Sequence, residues 1–142
     1  MTPASSLPVL DLACATVGRE AAQKIGAGGV PFFSDLATLL HREGLYMVFV
    51  YLSSRSSKAD AVAPKCVPIM RLFHDLLKNN LSGLSWTQHV TATSMVSDIS
   101  TVFGDRLAEL IQAKTILERC LDYASAHAKS YRKEEAPPKG NE

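Results

Sequence analysis

The chain has 142 residues, 46% of them hydrophobic, with fifteen basic and fourteen acidic side chains and a net charge near +1. A single domain of this size hides about two-thirds of the surface that its unfolded form exposes, so it needs neither disulfide nor metal to hold a core. The hydrophobic content excludes overall disorder, and the even charge excludes strong binding of free nucleic acid, which calls for a marked excess of Lys and Arg.

Residues 1–5 read as a short polar lead. Ser6 can cap a first helix, with Pro8 tolerated in its first turn. Leu10, Cys14, Val17, Ala21 and Ile25 recur at three- and four-residue steps, one face of an amphipathic helix. Gly26-Ala27-Gly28-Gly29 ends it, and Lys24 suits the dipole of its last turn. Pro31 opens a second helix that buries Phe32, Phe33, Leu36, Leu39 and Leu40 before Gly44 breaks it.

Behind Gly44 come eight uncharged residues, Leu45-Tyr46-Met47-Val48-Phe49-Val50-Tyr51-Leu52. Their length and composition fit a buried strand or a short core helix alike. No other segment alternates with period two, and a lone buried strand would leave its backbone groups unpaired. The octet is therefore read as helix, buried on nearly every side and central to the fold.

A polar loop, residues 53–60, follows. Pro64 and Pro68 mark the entry to a fourth helix with Ile69, Leu72, Phe73, Leu76 and Leu77 on its apolar stripe, closed by Asn79-Asn80. Ser85 with Gln88 has the form of a capping box for a helical turn from Trp86. Met95, Val96, Ile99, Val102 and Phe103 make a further short helix that ends near Gly104. Asp105 can cap the last and longest helix, with Leu107, Leu110, Ile111, Leu117, Leu121 and Ala124 along one side through Tyr131. From Arg132 the chain reads as a charged, disordered tail, residues 132–142. The expectation is an all-α fold: one domain over residues 6–131, a compact bundle of about five to seven helices.

Signs of catalysis are few. His41, His74, His89 and His127 form no HExxH pair and are read as surface or core residues rather than metal ligands. The glycine run lacks the Lys-Ser/Thr of a phosphate loop, and there is no GxSxG elbow. Cys14, Cys66 and Cys120 are odd in number, far apart and set among apolar neighbours, which fits buried small hydrophobes. No catalytic residue, metal or cofactor is expected. The N-terminus is a poor signal peptide and no apolar stretch reaches the roughly 18 residues of a membrane span, so a cytoplasmic protein is expected.

The placement of the cations says more than their number. Arg42 lies at the break between two helices. Arg55 and Lys58 lie in the Ser-rich segment, where hydroxyls and free amides can add hydrogen bonds to phosphate. Lys65, Arg71 and Lys78 lie on or beside the polar side of the fourth helix. If these segments converge they form a basic surface on a neutral protein; otherwise they are ordinary solvated helix faces.

One resemblance emerges. Leu39-Leu40-His41-Arg42-Glu43-Gly44-Leu45, then the apolar run and Ser53-Ser54, resembles the signature of the small α-helical subunit of type III-B CRISPR RNA-guided effector (Cmr) complexes. Gln112-Ala113 with Ile116, Leu117, Tyr123 and Ala124 resembles that family's closing helix, and order and size agree over roughly residues 9–131. The related small subunit of type III-A complexes shares class and role. The resemblance implies a non-catalytic subunit in antiviral defence. It implies that copies stack beside a large polymerase-like subunit, along the guide–target RNA duplex, and touch the target backbone. The alternative is a helical adaptor or dimerisation module with no nucleic-acid partner.

Overall fold

Two glycines set the first turns of the chain. Gly26 (φ 78°) opens a 3₁₀ turn over Gly26–Gly28, and Gly44 (φ 100°) separates two helices; both backbones lie where a Cβ is disfavoured. The computed structural model describes residues 3–81, 83–86 and 91–135. These residues form six α-helices: α1 (Pro3–Ile25), α2 (Gly29–Glu43), α3 (Leu45–Arg55), α4 (Ala63–Asn80), α5 (Ala92–Thr101) and α6 (Leu107–Glu135). No strand occurs among them, and no helix is long and apolar enough to cross a membrane.

α1 and α6 run side by side in the same direction. Cys14 donates from Sγ to the Ile116 carbonyl at 3.6 Å, Gly18 lies against Cys120 and Ala124, and Gly29 against Ala128. Both residue numbers rise together along the seam. α3 packs mainly on α2, α4 and α5, while α1 packs on α6 and α4. Phe33, Phe49, Phe73, Leu36, Leu117 and Leu121 are among the largest fully buried side chains, so one core joins all the layers.

Several boundaries move. α1 starts at Pro3, so Ser6 lies inside the helix instead of capping it, and most of the expected lead is helical. Pro68 sits inside α4 rather than at its entry, and its ring leaves the Pro64 carbonyl without its usual intrahelical donor. The capping box is at α5: Thr91 Oγ1 accepts from the Ser94 amide at 3.1 Å, and Ser94 Oγ accepts from the Thr91 amide at 2.7 Å. The expected box falls outside the described residues at Gln88. α6 continues to Glu135, four residues into the expected tail; residues 136–142 lie outside the described residues.

Two burial expectations are also corrected. Of the octet, Leu45, Val48, Phe49 and Leu52 are buried, whereas Tyr46 and Met47 are exposed, because a helix of 3.6 residues per turn turns one side away from the core. On α6, Leu107 and Ile111 stand outside the core, 66% and 57% exposed. Ile111 sits about 100° round the helix from Leu110, which packs on the core cluster. The inward line of α6 instead runs through Ala113, Ile116, Leu117, Cys120, Leu121, Ala124 and Ala128.

Candidate nucleic-acid interface

The α1–α2 turn, the end of α3 and the start of α4 meet at one end of the bundle, and three of the six singled-out cations lie there. Arg55, the last residue of α3, donates from Nη1 to Tyr51 Oη at 2.7 Å. Its Nε lies 3.6 Å from Asp60 Oδ2, and its guanidinium carbon 5.8 Å from the centre of the Phe32 ring. The hydrogen bond to Tyr51, ahead of the other neighbours, raises the already high pKa of Arg55. The second oxygen of Asp60 accepts from the amides of Val62 and Ala63, at 3.1 and 2.8 Å, and so caps α4.

Lys65, half-buried in the first turn of α4, points Nζ at the Ile25 carbonyl at 3.5 Å, where the C-terminal end of α1 attracts a cation. Lys58 is exposed in the loop, and Lys24, exposed in the last turn of α1, belongs to the same end. The serines behave differently from the expectation. Ser56 Oγ donates to the Ser53 carbonyl at 2.6 Å and Ser57 Oγ to the Ser54 carbonyl at 2.8 Å. The protons of these two hydroxyls are committed to carbonyls of the segment's own backbone.

The other three cations lie apart. Arg42 is ten residues along α2 from Phe32, about 15 Å, at the opposite end of the bundle. It borders a depression of about 270 Å³ together with Asp35 and Glu43, whose carboxylates offset its charge. Arg71 and Lys78 lie on the outer side of α4, seven residues and about 10 Å apart, nearly aligned. Arg71 is turned about 120° from Lys65 around the same helix. Among the described residues no carboxylate pairs with Arg42, Lys58, Arg71 or Lys78. The set thus divides into a cluster of Arg55, Lys58 and Lys65, an α4 row of Arg71 and Lys78, and a detached Arg42.

One titratable pair was not foreseen. His74 Nε2 and Asp98 Oδ2 meet at 2.8 Å between α4 and α5, with the two side chains 0% and 5% exposed. Among the described residues His74 Nδ1 has no hydrogen-bond partner; it lies 4.0 Å from Asp75 Oδ1. Trp86 presents its ring edgewise to His74 at 5.2 Å and to Phe103 at 5.9 Å, and donates from Nε1 to the Leu81 carbonyl at 2.9 Å. The pair joins α5 to α4. The burial of each partner had a local signal, since His74 shares the α4 stripe with Met70 and Leu77, and Asp98 shares that of α5 with Met95; their pairing had none.

The three cysteines are buried and free, and among the described residues no three His, Cys, Asp or Glu side chains gather as a metal site. No known protein family, curated protein or solved structure matches the chain.

Proposed function

We propose that this chain is a non-catalytic small subunit of a type III CRISPR ribonucleoprotein complex, stacking along the guide–target duplex and contacting the target backbone. The observation that carries the reading is the α2–Gly44–α3 corner. The stretch that resembles the family signature folds as helix, glycine break and helix, within an all-helical body whose last helix is the longest. The cluster of Arg55, Lys58 and Lys65 supports it, with Lys24 beside it. It presents positive charge on a chain that is otherwise balanced, as a subunit needing few phosphate contacts requires. Repetition of subunits along one RNA then supplies affinity through effective concentration.

The test has two parts. Tagged protein purified under native conditions from its own cells should carry short RNAs and larger protein subunits; capture without RNA overturns the reading. Isolated protein should bind single-stranded RNA weakly and without sequence preference, because base pairing carries the specificity. With about three phosphate contacts, a fourfold rise in salt should weaken that binding about twentyfold. Neutralising Lys58, Lys65, Arg71 and Lys78 together should abolish it. If partner capture survives that change intact, a helical adaptor without a nucleic-acid partner is the better account.

A further inference from the structure

We infer that Asp60 holds Arg55 in reserve: its carboxylate stands where a phosphate group would dock, and a phosphate reaches the Arg55 guanidinium only by displacing it. RNA as the source of that phosphate rests on the functional reading above; the geometry at Arg55 does not.

Arg55 carries five N–H donors in a fixed fork, and one of them is spent in a hydrogen bond within the protein. Nη1 donates to Tyr51 Oη at 2.7 Å, and the guanidinium carbon lies 5.8 Å from the centre of the Phe32 ring. Tyr51 stands one turn back on the same helix and Phe32 is buried, so the two hold the guanidinium in place whatever meets its other edge. That edge, Nε with Nη2, is the one that grips a carboxylate or phosphate through two parallel hydrogen bonds. Among the described residues Asp60 stands there, and it meets one nitrogen alone. Its Oδ2 lies 3.6 Å from Nε, too far for a hydrogen bond.

The other oxygen of Asp60 explains the long contact. Oδ1 accepts from the amides of Val62 and Ala63 to cap α4, and this anchors the carboxylate short of the fork. A pair so loose, with side chains 28% and 44% exposed, contributes little. Two charge-assisted hydrogen bonds to a phosphate are shorter and stronger, so an arriving phosphate gains what Asp60 cannot supply. The anchored carboxylate nevertheless stays close, and its charge opposes the incoming anion. Lys58 attracts that anion from nearby, its amide donating to the Arg55 carbonyl at 3.0 Å and its side chain exposed. The fork therefore engages where phosphates are presented at high local concentration, as along a polymer.

Titration of the full-length protein with inorganic phosphate at constant ionic strength tests this, read by NMR on the Lys58 amide and, where Arg55 is present, on its Nε–H. Asp60→Asn keeps an oxygen for the Val62 and Ala63 amides, so it should keep the wild-type melting temperature and bind phosphate about fivefold tighter. Asp60→Ser, also able to cap α4, should give a like gain. Arg55→Lys keeps the charge and loses the fork. It should change the wild-type affinity by less than about twofold and remove most of the gain in the Asp60→Asn protein. Asp60 variants that bind no tighter, an equal loss from Arg55→Lys in both backgrounds, or a double variant that keeps the full gain would each overturn the inference. A single-stranded oligouridylate, titrated into wild type, Asp60→Asn, Arg55→Lys and the double variant, separates the two readings. Phosphate affinities in the expected order, in proteins that ignore the RNA, would leave the reserve standing and remove the functional reading. RNA bound alike by all four would do the reverse.

Discussion

Two joints of this bundle are built from opposite materials. The α1–α6 seam is lined by small residues: Cys14 reaches the Ile116 carbonyl and Gly18 lies against Cys120 and Ala124, the helices close enough that a Cβ on Gly18 would be 2.7 Å from the Cys120 carbonyl oxygen. The α4–α5 joint is polar and aromatic, with His74 against Asp98 and Trp86 leaning on both His74 and Phe103. Dispersion over a long contact holds the first, and the buried hydrogen bond between His74 and Asp98 helps to specify the second. A seam of small side chains loses stability when anything is added to it; a polar joint loses stability when one partner is taken away.

The largest effect should come from the polar joint. Asp98→Ala strands a buried imidazole and should cost about 3 kcal/mol in urea unfolding. Replacing both partners, His74→Leu with Asp98→Leu, removes the stranded group and should cost clearly less than the sum of the single changes. Strict additivity in this cycle would mean that the 2.8 Å contact contributes nothing to holding α5 in place.

The seam should respond to alkali next. Burial, with the charge of Asp11 adding to it, pushes the Cys14 thiol from an ordinary 9.0 up to about 11. At pH 10 the unfolded chain has lost this proton while the folded protein keeps it, so the unfolded state binds fewer protons and stability falls as pH rises. The loss begins near pH 9 and continues through about pH 11, reaching roughly 2–3 kcal/mol for this thiol alone. Burial pushes Cys66 and Cys120 the same way and steepens the fall. Cys14→Ala should flatten its share of the slope, read as the difference between two stability–pH curves; parallel curves would place the thiol in contact with water.

Much of this architecture is local and was therefore legible. Gly44 ends α2 through its own φ, and the stripe of Phe32, Phe33, Leu36 and Leu40 is a period of 3.6 that needs no partner to be read. Hydrophobicity alone misled where it did not specify direction. The octet after Gly44 carries no charge, yet a helix in a bundle this small cannot be covered on all sides, so Tyr46 and Met47 face out. Ile111 is as apolar as Ile116, and only the packing of α6 separates them. The union of His74 and Asp98 across 24 residues, and the convergence of Lys65 on the end of α1 across 40, are tertiary facts with no periodic trace. Of the basic surface, the grouping of Arg55 with Lys58 was local and legible, while the separation of Arg42 followed only from α2 and α3 running antiparallel.

The smallest effect, and the most direct reading of the seam, should come from Gly18→Ala. In a solvent-exposed helix this change would stabilise by up to about 1 kcal/mol, because alanine loses less backbone freedom on folding. Here the new methyl would lie 2.7 Å from both the Cys120 carbonyl oxygen and Tyr123 Cβ, and 2.9 Å from the Ala124 amide nitrogen. Two of those three atoms are backbone, so no rotamer change relieves the contact and the helices must separate along their length. Overpacking of this kind costs about 1–3 kcal/mol, more than the propensity gain, and a net loss of about 1–2 kcal/mol is expected. Gly28→Ala is the matched control, since its Cβ meets nothing within 4 Å and its φ of −83° suits any residue. That variant should stay within about 0.5 kcal/mol of wild type. If Gly18→Ala instead melts at or above the wild-type temperature while Gly28→Ala is neutral, α1 and α6 have room between them, and close approach is not what holds the seam.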